Sequence, residues 1–334
     1  MSHRPSMTLG HALHVAALRL WRRFPWPGGR GRYWAKRRLL EGRRHLGPRP
    51  IPTEVGWLWL EWGEDRLQQT LYASGHHYED QVTVWLEGLD LEGRTVLDVG
   101  AHVGFYALLL ARRVGSGGQL VAFEPQPGLS AAVERALDAA GAGAWTRVLR
   151  QAAGDQDGSL TLRVSEDSGR TTAGRLPDGE ASVIDVPMVR LDTWLDRWLD
   201  RGLEADLDRG LETGLDRGLE TGLELLNEPP ALIKIDVEGA EWLALQGLEK
   251  TLASDSPPML VVEVHPRQIE DLGGCQRKMI ENLERFGYRL WLLDDKKGPC
   301  PLERPLPKIS TWHLVAIKPE GTLGGRHRAL DEAI

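Results

Sequence analysis

The chain has 334 residues, 41% of them hydrophobic, and a formal net charge of −7, enough for one large α/β domain with appendages or two small domains. The charge is uneven: residues 1–50 hold twelve Lys/Arg against the single acid Glu41, a balance of +11, and the remainder carries −18. So acidic a body excludes nucleic-acid binding by bulk electrostatics, no run reaches the roughly 18 apolar residues of a spanning helix, and Cys275 and Cys300 show neither metal-site nor C-x-x-C spacing.

Residues 1–56 read as a basic, Trp-rich arm. Within it Met7 to Phe24 is predicted to form an amphipathic helix, with Leu9, Leu13, Ala16, Leu20 and Phe24 on one face and Arg19, Arg22 and Arg23 opposite. Pro25 and Pro27 end it. The arginines follow the apolar part and no A-x-A site is visible, so the segment is a poor secretory signal. Six of the thirteen tryptophans fall in the first 62 residues. The arm is expected to pack on its own domain or fold on a partner; the alternative is peripheral contact with a membrane or another protein through residues 7–24. With two thiols and no export signal, the expected location is the cytoplasm, with membrane association through the arm.

Residues 57–94 form a lead-in, with a helix predicted from Tyr78 to Leu91. Strands are predicted near 95–99, 119–123, 146–151, 231–236, 259–264, 288–293 and 312–317, and helices near 104–113, 129–140, 240–252 and 274–286. This alternation predicts an α/β, Rossmann-like fold: a mostly parallel sheet with helices on both faces, over residues 95–318, followed by a tail at 319–334. Ser159 to Val164 and Ser182 to Val189 read as an antiparallel hairpin around a loop containing Arg170-Thr171-Thr172. Residues 192–228 read as a Leu/Gly low-complexity insert. In it leucine recurs every four residues and Leu-Asp-Arg-Gly-Leu-Glu-Thr-Gly appears twice, at 207–214 and 215–222. A spacing of four drifts about 40° per step around a helix, so no single face collects the leucines, and the insert is expected to be peripheral to the chemistry.

The chemistry-bearing turn is Asp98-Val99-Gly100-Ala101-His102-Val103-Gly104, after the first strand, with Glu124 ending the second. Two glycines let backbone approach a ligand, the helix after Gly104 presents free N–H groups, and Glu124 can accept both hydroxyls of a ribose. A dinucleotide fold would show G-x-G-x-x-G; D-x-G-x-x-x-G suits a nucleoside cofactor without phosphates, S-adenosylmethionine, with Asp98 serving its cationic methionine end. A second group follows: Asp236, Glu238 and Glu241 after one strand, and Glu263 and His265 at the end of the next. In an open α/β sheet these strand ends share a crevice, so substrate is expected to meet cofactor there. Methyl transfer to an alcohol needs a base, and His265 or a pKa-raised Asp236 or Glu238 fits that role. The plain alternative for His265 is a solvated loop; Glu241 is read as capping or charging the first turn of the following helix, and Lys234 as a buried-stem, surface-headed side chain. A carboxylate pair could also hold Mg2+, but a site without metal is the preferred reading.

The chain resembles the FkbM family of S-adenosylmethionine-dependent methyltransferases. The likeness rests on Val96 to Gly104, Phe123-Glu124-Pro125, Val189-Arg190-Leu191-Asp192, Ile233-Lys234-Ile235-Asp236-Val237-Glu238-Gly239-Ala240-Glu241 and Val262-Glu263-Val264-His265-Pro266, and spans roughly residues 78–318. It departs from the family at His102, where Asn is usual, and in the long insert. The resemblance implies seven strands in the order 3-2-1-4-5-7-6, the last antiparallel, and O-methylation of a hydroxyl on a sugar, glycolipid or polyketide-type product. It places Asp98, Gly100 and Glu124 at the cofactor, with Ala101, His102 and Gly104 in the same turn, and Gln151 or Ala152 beside adenine. Asp236, Glu238 and His265 are the candidate catalytic residues. Two rival readings are N- or C-methylation of a small metabolite and a non-catalytic scaffold that keeps the fold.

Overall fold

The structure is a computed structural model that describes residues 5, 8–23, 47–61, 65–76, 79–165, 171–173, 182–199, 228–294, 297–307, 311–319, 321 and 323. The arm from Phe24 to residue 46, Tyr78, Arg170, the repeats within 200–227 and the tail from 324 lie outside the described residues.

The arm contributes α1 (Leu9–Arg23), a helix within the predicted span. Leu9 and Leu13 are exposed, while His11, His14, Val15 and Leu18 are buried. Hydrogen bonds decide this: His14 Nε2 meets the Tyr72 hydroxyl at 2.7 Å and His11 Nε2 lies 2.9 Å from the Pro50 carbonyl. A hairpin that sequence did not suggest joins the end of the arm to the lead-in, β1 (Arg49–Pro52) with β2 (Trp57–Leu60), and the lead-in adds two helices, α2 (Arg66–Ser74) and α3 (Asp80–Glu87).

From Thr95 the chain alternates. β3 (Thr95–Val99), α4 (Phe105–Val114), β4 (Gln119–Phe123), α5 (Pro127–Ala139) and β5 (Thr146–Leu149) come first. Next are β6 (Ala152–Gly154), β7 (Gly158–Val164), β8 (Ser182–Arg190), α6 (Leu191–Leu199) and β9 (Leu232–Ile235). After these come α7 (Glu241–Gln246), α8 (Glu249–Leu252), β10 (Met259–Val264), α9 (Pro266–Asp271), α10 (Gln276–Arg285), β11 (Arg289–Asp294), β12 (Gly298–Pro301) and β13 (Trp312–Ile317).

The main sheet runs β12-β11-β13-β10-β9-β3-β4-β5. Five neighbours, β5 to β10, are parallel, and β13 enters antiparallel between β10 and β11. Without β12, an added edge strand, the order reads 3-2-1-4-5-7-6. Alternate strand residues serve opposite faces. Val96, Leu120 and Leu232 join α4 and the lead-in in one core, while Leu97, Val121 and Ile233 join α6, α7 and α10 in the other. Central strands buried on both sides explain why β3 and β4 read as continuous apolar runs. The hairpin forms as expected, and β6 pairs with β8 to extend it into a separate three-stranded sheet. Among the described residues no helix is long and apolar enough to cross a membrane.

The first residues assigned to the insert belong to the core. Leu191, Trp194, Leu195 and Trp198 in α6 are buried, because over these nine residues, about two and a half turns, one face still points inward before the drift accumulates. Asp192 fixes α6 to its neighbour. Its Oδ1 accepts from the Thr251 backbone N–H (2.9 Å) and hydroxyl (2.7 Å), and its Oδ2 from the Lys250 N–H (2.9 Å), so one carboxylate caps the first turn of α8 from outside. The helix predicted over 240–252 is thereby split at Gly247-Leu248. Asp192→Ala is expected to remove the acceptor from these first-turn donors, lowering stability by about 1–2 kcal/mol with cofactor affinity unchanged; chemical denaturation and calorimetry check both.

Candidate active site

The parallel strands change direction of progression at β3, and the crevice opens at the carboxyl ends of β3, β4 and β9. The turn after β3 folds back on β4: the Gly100 and Ala101 N–H groups both donate to the Phe123 carbonyl, at 2.9 and 3.0 Å. Gly100 adopts φ +90°, and a Cβ there would stand 1.8 Å from the Asp236 carbonyl oxygen, so only glycine lets β3 and β9 close on each other. Glu124 is tied into the same turn, its Oε2 accepting from the His102 N–H and its Oε1 from the Gln126 N–H, both at 2.9 Å. Burial pushes its carboxyl up to about 7 against the pull of those two N–H groups and of His102.

His102 occupies the left-handed region at φ +52°, where Asn is tolerated more readily than most side chains. Its ring sits 3.5 Å from Asp65 Oδ2, the buried N-cap of α2, which also accepts from the Gln68 N–H at 2.7 Å. Burial opposes the charge on His102, but Asp65, Glu124 and Asp236 outweigh it and raise its pKa. His102 thus places an imidazole, its pKa shifted upward, at the glycine turn, where the expected Asn would offer an amide.

The second group is denser than the sequence suggested. Lys234 is buried to its ammonium, which lies 3.2 Å from Asp236 Oδ2 and 3.7 Å from Asp98 Oδ1, so the surface-headed reading is corrected. Asp98 and Lys234 are direct register partners on β3 and β9, which is why the two charges meet. Burial would raise the Asp236 carboxyl, but Lys234 and His265 hold it down to about 2, contrary to the expectation of a raised value. His265 is buried, not a solvated loop residue, and its Nδ1 lies 2.8 Å from Glu241 Oε1. Glu241 is fully buried and accepts also from the Gly239 N–H at 3.0 Å; it does not cap its own helix, whose N-cap is Ala240 with no side-chain bond. Glu263 is driven well above the usual carboxylate range by burial and by Asp236.

These elements line one cleft at the carboxyl ends of the parallel strands, the kind of concave site that takes a small-molecule ligand. Of the expected residues, Gly100, His102, Glu124, Gln151, Ala152, Asp236 and Glu238 line it. Asp98, Ala101, Gly104 and His265 stand behind that wall. Asp98 in particular is wholly buried beside Lys234, so it acts on the cleft through that ammonium and not by touching a ligand. Leu160, Leu162 and Thr171 to Ala173 of the hairpin close one side. Sequence reasoning missed Asp65 and Glu79. Glu79 is buried, lines the cleft and accepts from the Tyr106 hydroxyl at 2.8 Å. The one available signal was an acid at the start of each lead-in helix. Among the described residues, donor atoms of Asp236, Glu263 and His265, and of Glu79, Glu263 and His313, lie within 4.8 Å of one another. Lys234 already supplies positive charge there, and no metal role is assigned to either group.

A family model, that of the methyltransferase FkbM domain, matches residues 98–207 and 213–290, more than half of the chain. The chain belongs to the FkbM methyltransferase family. The break in the match falls inside the octapeptide repeat. No curated protein matches the chain. Among solved structures, a methyltransferase FkbM from Methylobacillus flagellatus is 15% identical at a TM-score of 0.37, over 76% of this chain and 56% of that one. An S-adenosylmethionine-dependent O-methyltransferase from Thermotoga maritima is 14% identical at 0.37, over 81% and 78%. The O-methyltransferase TomG from Streptomyces achromogenes is 14% identical at 0.37, over 73% and 81%.

The chain is an S-adenosylmethionine-dependent methyltransferase, and the residues of the cleft fit that cofactor: a buried carboxylate at Glu124 whose oxygens each accept only one backbone N–H, and an apolar wall from Leu160 and Leu162. When bound, S-adenosylmethionine supplies the electrophilic methyl group.

Proposed function

We propose that the methyl acceptor is a hydroxyl of a sugar, glycolipid or polyketide-type small molecule. The observation that carries this reading is the line of carboxylates, Glu79, Asp236, Glu238 and Glu263, along the cleft beyond the glycine turn. An alcohol must lose a proton as its oxygen is alkylated, whereas a neutral amine attacks without a base. Carboxylates also accept hydrogen bonds from several hydroxyls at once, which suits a polyol. In this reading Gly100, His102 and Glu124 hold the cofactor, Gln151 and Ala152 flank its base, and the carboxylates orient the acceptor and receive its proton.

The test is incubation of the full chain with isotopically methyl-labelled S-adenosylmethionine and a panel of methyl glycosides, a glycolipid and a macrolactone. The expected outcome is label in an O-methyl ether, located by mass spectrometry and NMR. Label on nitrogen or carbon, or none on any acceptor, would overturn the reading.

A further inference from the structure

We infer that Glu238 is the catalytic base and that His265 and Glu241 are positioning residues that hold it, an assignment that rests on the O-methylation reading above. Accessibility separates the three. The Glu238 side chain is 24% exposed and lines the cleft, whereas those of His265 and Glu241 are 4% and 0% exposed and lie behind it. His265 therefore cannot touch an acceptor. Its place in the candidate catalytic set is corrected to a supporting one.

The geometry forms a chain of contacts leading to the cleft. The Gly239 N–H and His265 Nδ1–H both converge on Glu241 Oε1, which fixes the imidazole with Nε2 turned outward, 3.4 Å from Glu238 Oε2. Such a carboxylate behind a histidine sets both its orientation and its protonation. Glu238 itself stands at φ +50°, a conformation that a non-glycine residue adopts at a cost, and the Thr172 hydroxyl holds it there by donating to the Glu238 carbonyl at 2.9 Å. The next residue, Gly239, has no room for a Cβ, which would approach Gln268 Cβ to 2.3 Å. The Val237-Glu238-Gly239-Ala240-Glu241 turn is thus wrapped around one imidazole, with a glutamate on each side of it.

Charge agrees with this order. The groups facing Glu238 are Asp236 on its own turn, Glu241 on α7, Glu263 and His265 from the end of β10, and His102 from the glycine turn. Burial pushes Glu238 up to about 8; His265 and His102 pull it down, while Asp236 and Glu241 push it further up. His265, despite burial, is kept protonated well above its usual range by Glu241, Glu238 and Glu263, so it has no lone pair to offer. Asp236, held down to about 2, is too weak a base. In the step, the acceptor oxygen forms a bond to the methyl carbon as the S–CH3 bond breaks, the electron pair stays on sulfur as a neutral thioether, and the hydroxyl proton passes to the Glu238 carboxylate.

Because the ionised carboxylate is the active form, wild-type kcat is expected to rise with pH through about 8. Glu238→Gln is expected to lower kcat by about 10²–10⁴-fold with cofactor Kd unchanged, and Glu241→Gln to displace the pH midpoint. Wild-type kcat in Glu238→Gln would overturn the inference, on whichever panel acceptor is methylated. The position of the label judges the O-methylation reading separately. A second measurement needs no acceptor: histidine-selective NMR of the full chain with S-adenosylhomocysteine, His265 being assigned by its absence in His265→Asn. The expected result is an imidazolium that persists far above the ordinary histidine pKa of roughly 6.5 and loses that persistence in Glu241→Gln. Ordinary titration, indifferent to Glu241→Gln, would overturn the positioning roles.

Discussion

Gly100→Ala is expected to destabilise the fold by at least about 3 kcal/mol and to abolish S-adenosylmethionine binding in whatever folded protein remains. Two independent costs act at this position. The backbone is at φ +90°, where an L side chain is strained, and the added methyl would sit 1.8 Å from the Asp236 carbonyl oxygen and 2.8 Å from its carbon. Neither atom belongs to a flexible side chain that could swing away. Relief requires the ends of β3 and β9 to separate, which moves the glycine turn away from the Asp236–Glu238 turn and opens the cleft between them. Chemical denaturation reads the first effect and calorimetry with the cofactor the second; a wild-type midpoint with wild-type affinity would show that the two strand ends are not held this tightly.

Glu124→Ala should weaken S-adenosylmethionine binding by roughly 10²–10⁴-fold, as expected if two charge-assisted bonds worth about 1.5–3 kcal/mol each are lost. Each Glu124 oxygen already accepts one backbone N–H, from His102 or Gln126, which aims the carboxylate and leaves its other lone pairs for the ribose hydroxyls. Since the ionised form is the acceptor and its pKa is raised to about 7, wild-type affinity is expected to fall as the pH drops through about 7, and Glu124→Gln to lose that dependence. Circular dichroism guards against the trivial outcome in which the freed N–H groups disorder the turn. Unchanged affinity in Glu124→Ala would remove Glu124 from the cofactor site.

The parts of this enzyme that were legible in its sequence are those whose information is local. The apolar runs at Thr95–Val99 and Gln119–Phe123, the glycine turn and the carboxylates after β9 and β10 each announce themselves within a dozen residues, because strand, turn and helix are set by short-range sterics and by burial periodicity. Lys234 shows the limit. As a charged residue in an apolar strand it looked surface-headed, yet it is held inside by Asp236, just past the end of its own strand, together with Asp98, which faces it across the β3–β9 pairing from 136 positions earlier. The inner face of α1 was not legible for a related reason: histidines that look polar are buried by partners at Tyr72 and Pro50.

The sequence by itself determined the alternation of strands and helices, the glycine turn with a carboxylate at the end of the next strand, and the presence of a carboxylate-rich strand end. Only the tertiary structure decided the roles within that end: Glu238 at the cleft, His265 and Glu241 behind it, Asp98 spent on Lys234, and Asp65 and Glu79 brought in from the lead-in. Exposure and protonation are properties of what surrounds a group, and here those surroundings come from segments far apart along the chain, which no local pattern encodes.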